Sequence, residues 1–339
     1  MESALSRIRS CTNVAESEVP LPPAHNIAYS MSAEKDRTEV RMTRVQANML
    51  LLLAGAIWGM GFVAQSTAMA SIGPFLFIGI RSAIASLTVL PWAVAEGRRA
   101  KIALRRSDYL FFMVIGLSLF IGLVLQQIGL ITTSVTNAGF LTGLYVVMVP
   151  VLGVILFRTW PHPVVWPSAA ACLAGIFLLS GGTLTALKQG DLLVIGGAVF
   201  WALQVVLIGK ANRAARPITL SCVQFATSAV AGLAIASMVE DLNWTAIALT
   251  WKEILFTGVF SSGVAFTLQA IGQRYTTSAQ AAIFLASEAL FAALFGALFL
   301  GERVTFIGLI GCGLIFSAMM AVELIPMFWK RKPALAPAE

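Results

Sequence analysis

From about residue 45 onward the chain alternates long apolar runs with short polar segments. Ten runs stand out: 45–66, 74–94, 109–129, 134–157, 163–181, 191–209, 217–238, 253–272, 277–300 and 304–325. Each is about 20 residues of near-continuous apolarity, which at ~1.5 Å rise per residue matches the ~30 Å hydrocarbon core of a bilayer. Membrane strands are excluded, since they are short and alternate apolar with polar positions. The pattern predicts an all-α polytopic membrane protein with ten transmembrane helices. Residues 1–44 are polar, with Pro20, Pro22 and Pro23, and are expected to form a disordered tail. They hold no apolar core for a signal peptide, and Met31 and Met42 are alternative starts to Met1. Residues 326–339 read as a basic tail.

The runs come in two matching sets. LQQIG (125–129) and LQAIG (268–272) agree at four of five positions, and TTSVTNAGFL (132–141) and TTSAQAAIFL (276–285) at six of ten. Pro74 pairs with Pro217 and Trp58 with Trp201 at the same spacing of 143 residues, which becomes 144 after one inserted residue. Spans one to five (45–181) therefore repeat as spans six to ten (191–325). Five is odd, so the second copy enters the membrane upside down. Inverted repeats mark secondary transporters, whose substrate site lies at the repeat interface near mid-membrane.

Composition supports this reading and removes others. The chain is 58% hydrophobic and 12% charged, against about 25% charged in soluble domains. The net charge of +7 does not point to nucleic acid, because the cations sit in loops between spans. Basic residues gather in 35–44, 98–106, Arg158, 210–216, Arg274 and 330–332, all on one side of a ten-span chain, whereas the opposite loops hold Lys188, Lys252 and Arg303. The positive-inside rule then places both termini in the cytoplasm, with a bacterial inner membrane as the expected location. Cys11, Cys172, Cys222 and Cys312 lack metal-ligand spacing, so neither metal nor cofactor is expected.

The chemistry concentrates in a few polar positions inside the spans. Glu288 lies near the middle of span nine, where an ionised carboxylate costs ~2.5 kcal/mol or more unless it faces a bundle interior or cavity. Gln280, Phe284 and Glu288 are spaced i, i+4, i+8 and would share one face of a continuous helix. Arg81 lies seven residues inside Pro74, at a depth close to that of Glu288, so an ion pair between them is geometrically open; a structural clamp on backbone carbonyls is the alternative for Arg81. Glu288 and Arg81 correspond to Leu144 and Gln224 in the other repeat, and this loss of symmetry favours function for both. Asn137 and Tyr145 share a face of span four and have only Ala281 and Ala289 as counterparts, so they are cavity candidates. Trp58 and Trp201 read as packing or as paired apolar walls. Gln126 and Gln269 occur in both copies, which favours interhelical hydrogen bonds.

AIWGMGFV, the proline-led second span with Arg81, TNAGFLTGLYVVMVPVLG and SEALFAALFGALFLGE, taken in order over 47–325, resemble the EamA-type branch of the drug/metabolite transporter superfamily. The resemblance implies a ten-helix inverted-repeat carrier exporting amino acids, other metabolites or drugs, with spans 1, 3, 4, 6, 8 and 9 around a central cavity. Such proteins often carry Glu-Pro in span nine. Here Ala289 follows Glu288, which predicts a straighter helix.

The leading expectation is a secondary active exporter of small metabolites working by alternating access across the lipid bilayer. Under it, Glu288 either carries a proton in exchange for substrate or stays ionised and holds an ammonium group. A non-transporting sensor or scaffold on the same fold is the alternative class. A sugar-phosphate or nucleotide-sugar carrier would want more cavity cations than Arg81. No P-loop and no converging intramembrane catalytic residues occur, so neither an ATP-driven pump nor an enzyme is expected.

Overall fold

The structure, a computed structural model, describes residues 42–69, 71–100, 103–133, 135–179, 181, 188–211, 216–241, 243–300 and 304–329. All regular structure among them is helical. The helices are α1 (Arg44–Ala68), α2 (Pro74–Arg99), α3 (Arg106–Thr132), α4 (Val135–Gly143), α5 (Tyr145–Phe157), α6 (Val165–Leu179), α7 (Gln189–Ala211) and α8 (Pro217–Val239). They continue as α9 (Trp244–Leu249), α10 (Trp251–Phe256), a π-helix (Thr257–Val264), α11 (Ala265–Gly272), α12 (Ser278–Leu285), α13 (Ser287–Leu300) and α14 (Phe306–Trp329). The expected tail over 1–44 falls outside the described residues as far as 41, and 330–339 of the C-terminal tail do too.

Among the described residues nine helical segments are long and apolar enough to cross a membrane. The tenth run, α6, has 15 residues and falls short of that length. Three runs that look continuous in sequence are interrupted. Span four breaks at Leu144, between α4 and α5. Span eight contains the eight-residue π-helix. Span nine breaks at Ala286, whose ψ of −10° departs from the ideal of about −42° and whose carbonyl accepts from Ala289 N–H, three residues on. The straight ninth helix expected from the missing proline is therefore not found. A tight turn of backbone does what a proline would otherwise do.

The main packing pairs each join one repeat to the other: α2 with α8, α3 with α7, α6 with α14, and α1 with α13. Small residues allow the closest approaches. Gly175 of α6 meets Gly311 of α14, where an added Cβ would lie 2.6 Å from the Gly311 carbonyl oxygen.

The α2–α8 pair is tied at both ends by the same device used reciprocally. Glu240, just past α8, accepts from the Phe75 and Leu76 N–H groups at the start of α2, at 2.9 and 2.8 Å. Glu96, near the end of α2, accepts from the Ile218 and Thr219 N–H groups at the start of α8, at 3.2 and 2.8 Å. Each glutamate satisfies free N–H groups of a helix N-terminus and meets the positive end of its dipole. Between these ends the Ser82 and Ser228 hydroxyls are 3.1 Å apart.

Candidate functional site

A cavity in the middle of the bundle is lined from both repeats. Its apolar wall is aromatic. Trp58 of α1 lies 4.6 Å from Phe266 of α11, centroid to centroid, and Trp201 of α7 stacks on the other side of it at 5.8 Å. Phe225 of α8 holds Phe266 edge-on at 5.3 Å. The polar lining includes Gln65, Arg81, Gln126, Thr142, Tyr145, Gln204, Gln269 and Glu288.

Glu288 reaches the cavity from the first turn of α13, immediately after the Ala286 break. Its position is set by α1. A Cβ at Gly59 would lie 2.9 Å from the Glu288 carbonyl and 2.7 Å from the Ala292 nitrogen, so only glycine permits this approach. The Tyr145 hydroxyl sits beside the Glu288 carboxyl. Tyr145 is likewise placed by a break, at the first position of α5 after Leu144.

Arg81 is almost wholly buried, at 2% exposure. Its Nη1 donates to Gln65 Oε1 at 2.9 Å, and its Nε and Nη2 donate to the Ser262 hydroxyl at 3.1 and 3.0 Å. Its guanidinium also lies 5.6 Å from the Phe77 ring centroid. Ser262 belongs to the π-helix, as does Ser261, whose carbonyl accepts from Trp58 Nε1 at 2.8 Å. The π-helix thus anchors both the arginine and one tryptophan, in keeping with the frequent placement of such segments at functional sites.

Five of the expected site residues line the cavity, and Gln280 and Phe284 do not. Trp58, Arg81, Tyr145, Trp201 and Glu288 all line the cavity. Arg81 and Glu288 share it without an ion pair; the salt bridge found among the described residues joins Arg44 and Glu323 instead. Gln280 is turned away and donates to the Val322 carbonyl of α14 at 2.9 Å. Phe284 is packed in the core at 1% exposure and is not part of the lining. The shared face expected for 280, 284 and 288 assumed one continuous helix. The break at Ala286 changes the register, and Leu285 joins Glu288 on the cavity instead. The backbone of Asn137 lies in α4, but its side chain is outside the described residues.

The model of the EamA-like transporter family matches twice, over residues 45–181 and 188–323. The chain belongs to the EamA-like transporter family. An uncharacterized transporter of Archaeoglobus fulgidus is 31% identical over 285 residues, covering 83% of this chain and 87% of its own length. An uncharacterized transporter of Bacillus subtilis, YvbV, is 26% identical, covering 84% and 93%. A crystal structure at 16% identity superposes with a TM-score of 0.72 over 85% of this chain and all of its own, a likeness of fold alone. Membership makes the protein a multi-pass membrane protein of a transporter family, a non-enzymatic role.

Several residues of this EamA-like cavity escaped the sequence reading. Gln65 and Thr142, which line it, and Ser262, which holds Arg81, correspond to Ile208, Ala286 and Leu119 in the other repeat, so polarity present in one copy only would have found them. Gln126 and Gln269 follow the opposite rule. They occur in both copies and make interhelical bonds, Gln126 to Thr142 at 2.9 Å and Gln269 to Gln204 at 3.2 Å, yet both line the cavity.

Proposed function

We propose that this protein is a secondary active exporter of small metabolites, such as amino acids or drugs, working by alternating access. In this reading ten crossings form two inverted five-helix repeats, both termini face the cytoplasm, and the membrane is a bacterial inner membrane. The reciprocal glutamate caps on α2 and α8 speak for the inversion, because exchanging the two helices exchanges the two caps. The observation that carries the function is the central cavity, lined from both repeats by aromatic side chains and by the intramembrane carboxyl of Glu288. A site shared between two halves is what alternating access requires. Glu288 exchanges a proton for substrate as the halves rock.

Overexpression in a sensitive bacterial host, challenged with toxic amino acids, analogues and drugs, identifies accepted substrates. Purified protein in proteoliposomes then shows whether an imposed pH gradient drives uphill movement of that substrate. Failure of every challenge compound to be exported favours the sensor or scaffold reading. Labelling of a cysteine introduced at position 101 by an impermeant reagent outside intact cells would overturn the topology.

A further inference from the structure

We infer that Arg81 forms a carboxylate-binding subsite of the central cavity, so that the transported molecule carries a carboxylate group. This rests on the reading of the cavity as the substrate site. Arg81 is a fixed cation inside the bundle, and among the described residues no carboxylate lies within ion-pair distance of it. Its partners are neutral side chains, an amide and a hydroxyl. A guanidinium has five N–H donors. Three of them are engaged by Gln65 and Ser262, which leaves two without an acceptor among the described residues. A residue serving only to clamp the fold would be expected to close its donors on backbone carbonyls, and Arg81 has none among these partners. A buried charge without a counter-charge is costly, and an anionic ligand supplies the missing partner.

The rest of the lining agrees. Tyr145 and Trp201 both line the cavity, and the buried Trp201 indole N–H has no hydrogen-bond partner among the described residues. Trp58, the repeat counterpart of Trp201, has its N–H satisfied by Ser261. Beside Arg81 the cavity therefore has an indole donor that no protein acceptor takes up, and a carboxylate brings two acceptor oxygens. A phosphate ester fits less well. It would place up to two negative charges against one arginine in a cavity that also contains Glu288.

The test uses the full chain in detergent and follows tryptophan fluorescence, since Trp58 and Trp201 line the cavity. Probes are benzoate, phenylacetate and L-phenylalanine, each paired with its carboxamide. In the wild type at least one acid binds saturably and at least tenfold more tightly than its amide. Arg81→Gln removes that preference, and Arg81→Lys retains part of it. The proposal is overturned if no acid saturates, if acid and amide bind alike, or if Arg81→Gln keeps the preference. If Arg81→Gln does not fold, the wild-type comparison and Arg81→Lys decide in the same way. An Arg81-dependent acid preference in a protein that moves none of the acids in proteoliposomes would sustain the subsite and remove the carrier reading. Equal transport of acid and amide would do the reverse.

Discussion

Helices α2 and α8 occupy matching places in the two repeats, and they differ in one instructive respect. Both begin with a proline, Pro74 or Pro217, and both have their first N–H groups held by a glutamate from the partner helix. At mid-helix the likeness ends. Arg81 stands where α8 has Gln224, which only accepts a 3.4 Å bond from Gln204. Features that build the bundle are duplicated, whereas the charges that face the cavity are not. Duplication preserves packing because both copies must make it. Chemistry at a shared site needs each group once.

The largest expected effect follows from the most extreme asymmetry, Glu288 against Leu144. Glu288→Gln keeps size and hydrogen-bonding capacity but cannot release a proton. In proteoliposomes, accumulation driven by a pH gradient should fall at least tenfold, while binding of an accepted substrate survives. Full gradient-driven accumulation in this variant would remove Glu288 from the proton path. Loss of binding for cationic substrates alone would instead mean that its negative charge recognises them.

A second contrast lies one helix away. Gly59 of α1 corresponds to Ala202 of α7, which is fully buried and already carries a Cβ. Gly59→Ala should force α1 off α13, because its methyl would meet backbone atoms at 2.7 and 2.9 Å. Overpacking of this kind costs roughly 1–3 kcal/mol. Gly139, whose Cβ would meet nothing within 4 Å, is the control, and Gly139→Ala should be neutral or slightly stabilising. Denaturant titration in micelles measures both. Equal stability of the two variants would mean that α1 is not fixed against Glu288 by close contact.

These contrasts also show what could be read from the chain alone. The long runs, the duplication and the family were legible because hydropathy and repeated motifs are one-dimensional signals. The isolation of Arg81 and Glu288 in one cavity was partly legible, through their absence from the other copy. The breaks at Leu144 and Ala286 were not, since neither residue is a proline or glycine and both runs remain apolar throughout. Gln280 does not share the face of Glu288 for that reason: the i, i+4 rule holds only along an unbroken helix. The π-helix was hidden too. The 143-residue spacing is the same before it, at Trp58 and Trp201, and after it, at LQQIG and LQAIG, so no inserted residue betrays it.

Where the repeats are alike, substitutions should act alike. Glu96→Ala and Glu240→Ala each release two backbone N–H groups at a helix start. Both glutamates are partly exposed, so each loss should be about 1 kcal/mol, with water replacing part of the bond. Glu96 also accepts from the Thr219 hydroxyl at 2.7 Å, so stability measurements on the two single variants should agree to within that one further bond, about 1 kcal/mol. A large difference would show that the α2–α8 pair is held mainly from one end.

The smallest expected effect separates the two tryptophans. Trp58 and Trp201 flank Phe266, but only Trp58 spends its N–H inside the protein, on the Ser261 carbonyl of the π-helix. Trp58→Phe removes that buried bond and should destabilise by about 1 kcal/mol. Trp201→Phe removes a buried donor that has no protein partner, so its hydrogen-bonding cost to folding should be near zero. Both lose similar ring area, and the difference between the two variants therefore isolates the hydrogen bond. The order should reverse for ligand binding. If the Trp201 N–H is left open for a bound acceptor, Trp201→Phe weakens carboxylate probes more than Trp58→Phe does. If instead Trp201→Phe costs as much stability as Trp58→Phe and leaves binding unchanged, the two tryptophans are equivalent walls, and the donor asymmetry of the cavity has no bearing on what it holds.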